Sequence, residues 1–249
     1  MFDLALVCIA GFAAGALNAV AGGGTFLTLP ALVFLGVPPV AANVTATLTA
    51  LPGYISSAWA FRHDMRAEGA LALRAILVVS IIGGLIGAGL LLVTSDDVFS
   101  GLVPWLLLLA TALFALGPRL MAYLKNSGRG MAGPALSAVV ILTVSIYGGY
   151  FNGGLGIMLL AAFGLLGYVD LHGMNGLKNV LSALLSLVAA GTFIAAGLIS
   201  WEHAIPMAIA SAIGGYVGGY YSRKITRTDY LRAFVVIVGL VMAILFFAT

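Results

Sequence analysis

Asn18 lies four residues ahead of three consecutive glycines and a threonine, Asn18-Ala-Val-Ala-Gly22-Gly23-Gly24-Thr25, in an otherwise apolar stretch. Each glycine inside a helix costs about 1 kcal/mol relative to alanine, so the run marks a helix that stops and restarts. A restarting helix turns unpaired N–H groups and the positive end of its dipole toward whatever it faces, and such an end binds anions. In a membrane, backbone freed in this way is tolerated only where it is buried or lines a wet cavity. A second run, Asn152-Gly153-Gly154-Leu-Gly156, repeats the pattern. Glycines can also serve only to let helices approach closely. That is the reading for Gly83/Gly87 and Gly214/Gly218, whereas the triple glycine between Asn and Thr reads as a site.

Two further polar clusters accompany the glycines. Asn43 and Thr47 are four apart and share a helix face, as do Asn175 and Asn179. Such pairs either face a central site or hold helices together through interhelical hydrogen bonds, and spacing does not separate the two. Lys178 aligns with Ala46 of the earlier cluster. A lysine at the centre of a membrane helix costs about 2.5–3.5 kcal/mol on insertion scales and marks function; one near a helix end snorkels to the surface. In the functional reading Lys178 supplies the charge that draws an anion toward the helix ends.

The elements that must position these residues are membrane helices. Of 249 residues 62% are hydrophobic and 8% charged, against about 25% charged in a soluble domain. Apolar runs such as Leu71–Val93, Val98–Gly117, Met174–Ser200 and Tyr230–Ala248 each suffice to cross about 30 Å of hydrocarbon. The chain divides into segments 4–21, 24–36, 40–61, 70–93, 98–117, 131–151, 153–168, 174–199, 204–221 and 230–248. Segments 24–36 and 153–168 are short for a full span, and both begin at a glycine run. The N-terminus lacks the basic stretch of a cleaved signal, so 4–21 is expected to belong to the mature protein.

Several function classes fall away. A net charge of +3 from 11 basic residues is too little for a nucleic-acid surface. Cys8 is the one cysteine, and His63, His172 and His203 lack metal-ligand spacing, so no metal or cofactor is expected. Asp3, Asp64, Glu68, Asp96, Asp97, Asp170, Glu202 and Asp229 all fall in loops or at segment ends, which argues against a cation substrate and a membrane-buried carboxylate relay. No nucleophile elbow, zinc-peptidase helix or phosphate loop is present, so an enzyme is not expected.

The halves resemble each other. Gly15-Ala-Leu-Asn18 matches Gly149-Tyr-Phe-Asn152, and Asn43-Val-Thr-Ala-Thr47 matches Asn175-Gly-Leu-Lys178-Asn179 at an offset of 132. Ile82-Gly83-Gly84 matches Ile213-Gly214-Gly215 at an offset of 131. Three matches in one order at nearly constant offset indicate duplication. Arg62, Arg66 and Arg74 surround one loop, where the matching loop has Glu202 and His203; Asp96 and Asp97 match a loop with Arg223, Lys224, Arg227 and Arg232. Equivalent loops of opposite charge belong on opposite membrane faces. Five segments per half also invert the second half. Both arguments put the 118–130 linker, with Arg119, Lys125 and Arg129, inside and both termini outside. A rival count of four bent spans per half gives a parallel duplication, at the cost of placing Arg223, Lys224 and Arg227 outside.

The motifs Gly11-Phe-Ala-Ala-Gly15-Ala-Leu-Asn18-Ala-Val-Ala-Gly22-Gly23-Gly24, Pro30, Gly36-Val-Pro38-Pro39 and Ala42-Asn43-Val-Thr45 resemble the sulfite exporter TauE/SafE family. So do Asn152-Gly153-Gly154-Leu-Gly156, Asn175-Gly-Leu-Lys178-Asn179, Gly197-Leu-Ile-Ser-Trp201 and Gly214-Gly215-Tyr-Val-Gly218-Gly219. The resemblance covers essentially the whole chain. It departs at Ser200-Trp201, where an acidic residue often precedes the Trp.

The resemblance implies a multi-pass transporter of sulfur-containing anions such as sulfite, sulfonates or sulfoacetate, often exported. The expectation is an all-α integral membrane protein of two inverted repeats, 1–125 and 126–249, in a bacterial inner membrane with both termini periplasmic. Each repeat holds a glycine-broken pair and three spanning helices. Asn18, Gly22, Gly23, Gly24, Thr25, Asn43, Thr47, Asn152, Gly153, Gly154, Gly156, Asn175, Lys178 and Asn179 are expected to line the anion site. The rivals are an anion channel with the same lining and a non-transporting assembly factor.

Overall fold

The computed structural model describes residues 2–20, 22–62, 69–126, 133–168, 170–222 and 229–248. His63, Asp64, Arg66, Glu68, Arg129, Arg223, Lys224 and Arg227 lie outside the described residues. The described chain is all helical. In order the helices are α1 (Phe2–Val20), α2 (Thr25–Phe34), α3 (Pro39–Ala60), α4 (Leu73–Leu92), α5 (Asp96–Asn126), α6 (Pro134–Tyr150), α7 (Leu155–Leu165), α8 (Leu171–Ala195), α9 (Trp201–Ser222) and α10 (Asp229–Ala248). Each expected segment overlaps one helix, but α5 runs past the end of segment 98–117 to Asn126, so the first part of the expected 118–130 linker is helical. Four stretches, Phe2–Val20, Leu73–Leu92, Asp96–Leu113 and His172–Ala195, are long and apolar enough to cross a membrane.

Sequence explains the breaks between helices. Gly36 and Gly167 stop α2 and α7 in the same way, at φ 83° and 88°. The Gly36 N–H donates to the Val33 carbonyl and the Val37 N–H to the Leu32 carbonyl, and Gly167 and Tyr168 bond likewise to Gly164 and Phe163. This left-handed cap favours glycine because a Cβ there would crowd the neighbouring carbonyl. At 10 and 11 residues, α2 and α7 extend about 15–17 Å, half the hydrocarbon thickness.

Small residues set the closest helix pairs. α1 and α9 run parallel, with Gly11 on Met207, Gly15 on Ser211 and Gly215, and Ala16 on Gly218. α4 and α6 are paired in the same manner, Gly83 on Leu142 and Ser145, Gly87 on Ile146 and Tyr150. A Cβ at Gly15, Gly87 or Gly214 would collide with a carbonyl oxygen of the facing helix. The glycines spaced by four are therefore packing residues. Exchanging α1–α5 with α6–α10 maps the contacts between helices onto one another: α1·α9 onto α4·α6, α3·α9 onto α4·α8, and α2·α10 onto α5·α7. The pairs α3·α8 and α5·α10 map onto themselves.

The connections gather at two ends. At one end the Val40 N–H donates to Asp96 Oδ1 (2.9 Å) and the Ser200 N–H to Thr45 Oγ1 (3.0 Å). A cavity of about 350 Å³ lies there, lined by Gly36, Pro38, Leu198, Ser200 and His203 among others. At the other end Gly69 abuts the Tyr168 ring. Thus α3 begins where α8 finishes, and α2 returns to the end at which α1 and α9 begin.

Polarity is distributed inside out. Ile9, Val78, Ile82, Leu85, Trp105, Ile209 and Ile237 point outward, while Asn18, Asn43, Thr47, Asn152, Lys178, Asn179, Ser182 and Ser186 are buried. An apolar exterior of this kind is matched to lipid rather than water. The polar residues concentrate on α3 and α8, the pair at the centre of the contact pattern.

Candidate functional site

The site is built where the two glycine breaks meet. Gly22 takes φ 85°, and a Cβ on it would lie 2.5 Å from the Gly156 Cα; one on Gly156 would lie 2.6 Å from the Gly22 Cα. The backbones of the two halves thus touch, and no side chain fits between them. The Lys178 stem completes the contact, with Cδ 3.2 Å from the Cβ position of Gly156.

Lys178 is fully buried. Its Nζ donates to the Asn18 carbonyl (3.1 Å) and to Asn175 Oδ1 (3.2 Å). The ammonium therefore sits at the C-terminus of α1, where the helix dipole favours a cation. An ammonium has three donors, and these two acceptors occupy two of them. Lys178 is the one charged residue among the described buried ones. The asparagine side chain of the same break works locally: Asn18 Oδ1 accepts from the Gly24 N–H at 2.7 Å, which ties α1 to the start of α2. Asn18 Nδ2 has no partner among the described residues.

The second break is held differently. Asn152 adopts φ 59°, a left-handed conformation that asparagine tolerates better than most residues. It donates from Nδ2 to Ser186 Oγ on α8 at 3.1 Å. The Tyr147 hydroxyl donates to the Gly153 carbonyl, and Gly154 opens α7 at φ 71° against Ala110 and Phe26. On α3, Asn43 Nδ2 donates to the Tyr150 carbonyl (3.0 Å), and the Thr47 hydroxyl donates back to the Asn43 carbonyl (2.9 Å). Asn43 thus engages the C-terminus of α6 much as Lys178 engages that of α1.

Most of the expected residues fall into three clusters. Asn18, Gly22, Gly24, Gly156, Asn175 and Lys178 share direct contacts. Asn43 and Thr47 gather around the end of α6, Asn152 and Gly153 around the second break. Gly23 and Thr25 are buried beside the first break, and the Thr25 hydroxyl has no partner among the described residues. Asn179, one residue beyond Lys178, is fully buried with neither amide atom bonded among the described residues. Sequence reasoning missed Ser182 and Ser186, which continue the Lys178 face of α8 at intervals of four; that periodicity was the available signal. It also missed Tyr147, whose role depends on a contact with Gly153 that spacing does not reveal.

Lys178, the amides of Asn18 and Asn175 and the touching glycine breaks thus form one largely buried polar cluster. A family model described as "Sulfite exporter TauE/SafE" matches residues 7–246. The chain belongs to the TauE/SafE family. Curated relatives agree with that. A probable membrane transporter protein, ORF9, of a Sinorhizobium species is 27% identical over 97% of this chain and 91% of its own length. A probable membrane transporter protein of Haemophilus influenzae is 30% identical over 85% of this chain and 82% of its own. The probable membrane transporter protein YfcA of Escherichia coli K12 is 28% identical over 81% and 74%. This TauE/SafE protein is accordingly a multi-pass membrane transporter.

Proposed function

We propose that this TauE/SafE member is a secondary transporter that exports small sulfur-containing anions such as sulfite, sulfonates or sulfoacetate. The observation that carries the reading is Lys178, a buried cation meeting both glycine breaks with no carboxylate bonded to it among the described residues. Burying an ammonium without a counter-charge is costly, and a transported anion supplies that charge. The unpartnered amides of Asn18 and Asn179 supply donors for its oxygens.

The two halves form an inverted repeat with α1–α2 and α6–α7 as re-entrant pairs. Supporting this, the helix contacts exchange between halves, and α3 begins at the end where α8 finishes. The two repeats rock about the Gly22–Gly156 contact, exposing the site to each side in turn. The protein lies in the bacterial inner membrane. Asp3, Asp96, Asp97 and Glu202 mark the periplasmic end with both termini, and Arg62, Arg74 and Arg119 the cytoplasmic end, in keeping with the positive-inside rule.

The test is a thermal-stability screen of purified protein against sulfite, sulfate, thiosulfate, taurine and sulfoacetate, followed by counterflow in liposomes with whichever anion stabilises. A ligand at 100 times its Kd stabilises by about 2.7 kcal/mol. No shift with any of the five, or normal transport by Lys178→Ala, sinks the reading. Flux far above carrier rates without counterflow would instead make the protein a channel.

A further inference from the structure

We propose that the buried site selects singly charged sulfur oxyanions over doubly charged ones. This rests on the transporter reading above and narrows its substrate class to monosulfonates and hydrogensulfite, setting aside sulfoacetate, whose sulfonate and carboxylate make it a dianion.

The inference comes from the charges that converge on the site. Each glycine break places one helix C-terminus beside one helix N-terminus: α1 beside α2, and α6 beside α7. Their partial charges of about −0.5 and +0.5 largely offset each other at each break. What remains is one formal charge, the Lys178 ammonium, and its pseudo-equivalent in the other half is Ala46, fully buried and without charge. Among the described residues the other polar side chains around the breaks include the amides of Asn18, Asn43, Asn152, Asn175 and Asn179 and the hydroxyls of Thr25, Tyr147, Ser182 and Ser186. They donate and accept hydrogen bonds but carry no charge.

A singly charged sulfonate or hydrogensulfite therefore leaves the loaded site neutral. A dianion leaves an uncompensated negative charge in a buried place, the condition that makes buried ions costly. The unpartnered Nδ2 atoms of Asn18 and Asn179 match the oxygens of either anion equally. Discrimination thus falls to charge.

The test compares two pairs of anions on purified wild-type protein at constant ionic strength: methanesulfonate with sulfate, nearly the same size, and ethanesulfonate with ethane-1,2-disulfonate. The expected result is at least about tenfold tighter binding of the singly charged member of each pair. In Lys178→Met the preference is expected to collapse, because the site then carries no charge to balance. Equal or tighter binding of either dianion overturns the proposal, as does a preference that persists in Lys178→Met. If none of the four anions binds, the proposal fails; the transporter reading fails with it when the screen of five sulfur compounds is also blank.

Discussion

The two glycine breaks begin from the same sequence device and end in different structures. In the first, the Asn18 side chain folds back onto the Gly24 N–H, so the turn is held by its own residues. In the second, Asn152 enters the left-handed region and reaches across to Ser186, so the turn is held by α8. The carbonyls left open at the ends of α1 and α6 also receive different partners. The α1 carbonyl of Asn18 receives the Lys178 ammonium, and the α6 carbonyl of Tyr150 receives the neutral amide of Asn43. The shared device thus leads to one helix end met by an ammonium from α8 and one met by a neutral amide from α3. The lesson is that the likeness of the two breaks lies in the backbone and their difference in the side chains that meet it.

The comparison breaks most readily at Lys178. Lys178→Ala is expected to weaken anion binding by about 2 kcal/mol or more, roughly thirtyfold, as seen when one partner of a buried charge pair is removed. Ala46→Ser, at the matching place in the other half, is expected to bind within about threefold of wild type, because a small hydroxyl there adds no charge. Binding titrations of both variants against the stabilising anion check the contrast, and equal losses would erase the asymmetry.

Next comes the contact between the breaks. Gly22→Ala is expected to cost about 2–4 kcal/mol, combining a left-handed backbone worth about 1–2 kcal/mol with a clash against the Gly156 Cα. Denaturation in detergent reads this. Unchanged stability would show that the two halves do not meet there.

A smaller effect separates the two asparagines. Asn18→Ala removes the cap on Gly24 and is expected to lower stability by about 1–2 kcal/mol. Asn152→Gly loses the Ser186 hydrogen bond but gains the residue best suited to φ 59°, so it is expected to change stability by less than about 1 kcal/mol. The reverse ranking in thermal melts would mean that the second break depends on its side chain and the first does not.

The smallest expected stability change is at Asn179. Its amide makes no hydrogen bond among the described residues, so Asn179→Ala is expected to leave the anion-free protein unchanged or up to about 1 kcal/mol more stable. Anion binding is expected to weaken several-fold. Loss of stability without loss of binding would assign Asn179 to helix packing.

Sequence by itself determined the all-α membrane fold, the ten segments and both glycine breaks. Those follow from local physics: the length of an apolar run against the thickness of hydrocarbon, and the intrinsic cost of glycine in a helix. It also singled out Lys178 by its mismatch with Ala46. Sequence left open whether Asn43 and Asn179 glue helices or face a site. Only tertiary structure decided that Asn43 bonds the end of α6 while the Asn179 amide has no bond among the described residues, since both belong to polar pairs of the same helical spacing. Tertiary structure likewise decided that Gly22 touches Gly156 and that Lys178 reaches the Asn18 carbonyl, 160 residues away. Contacts between residues so distant in the chain depend on how ten helices pack together, and no periodicity within one helix encodes them.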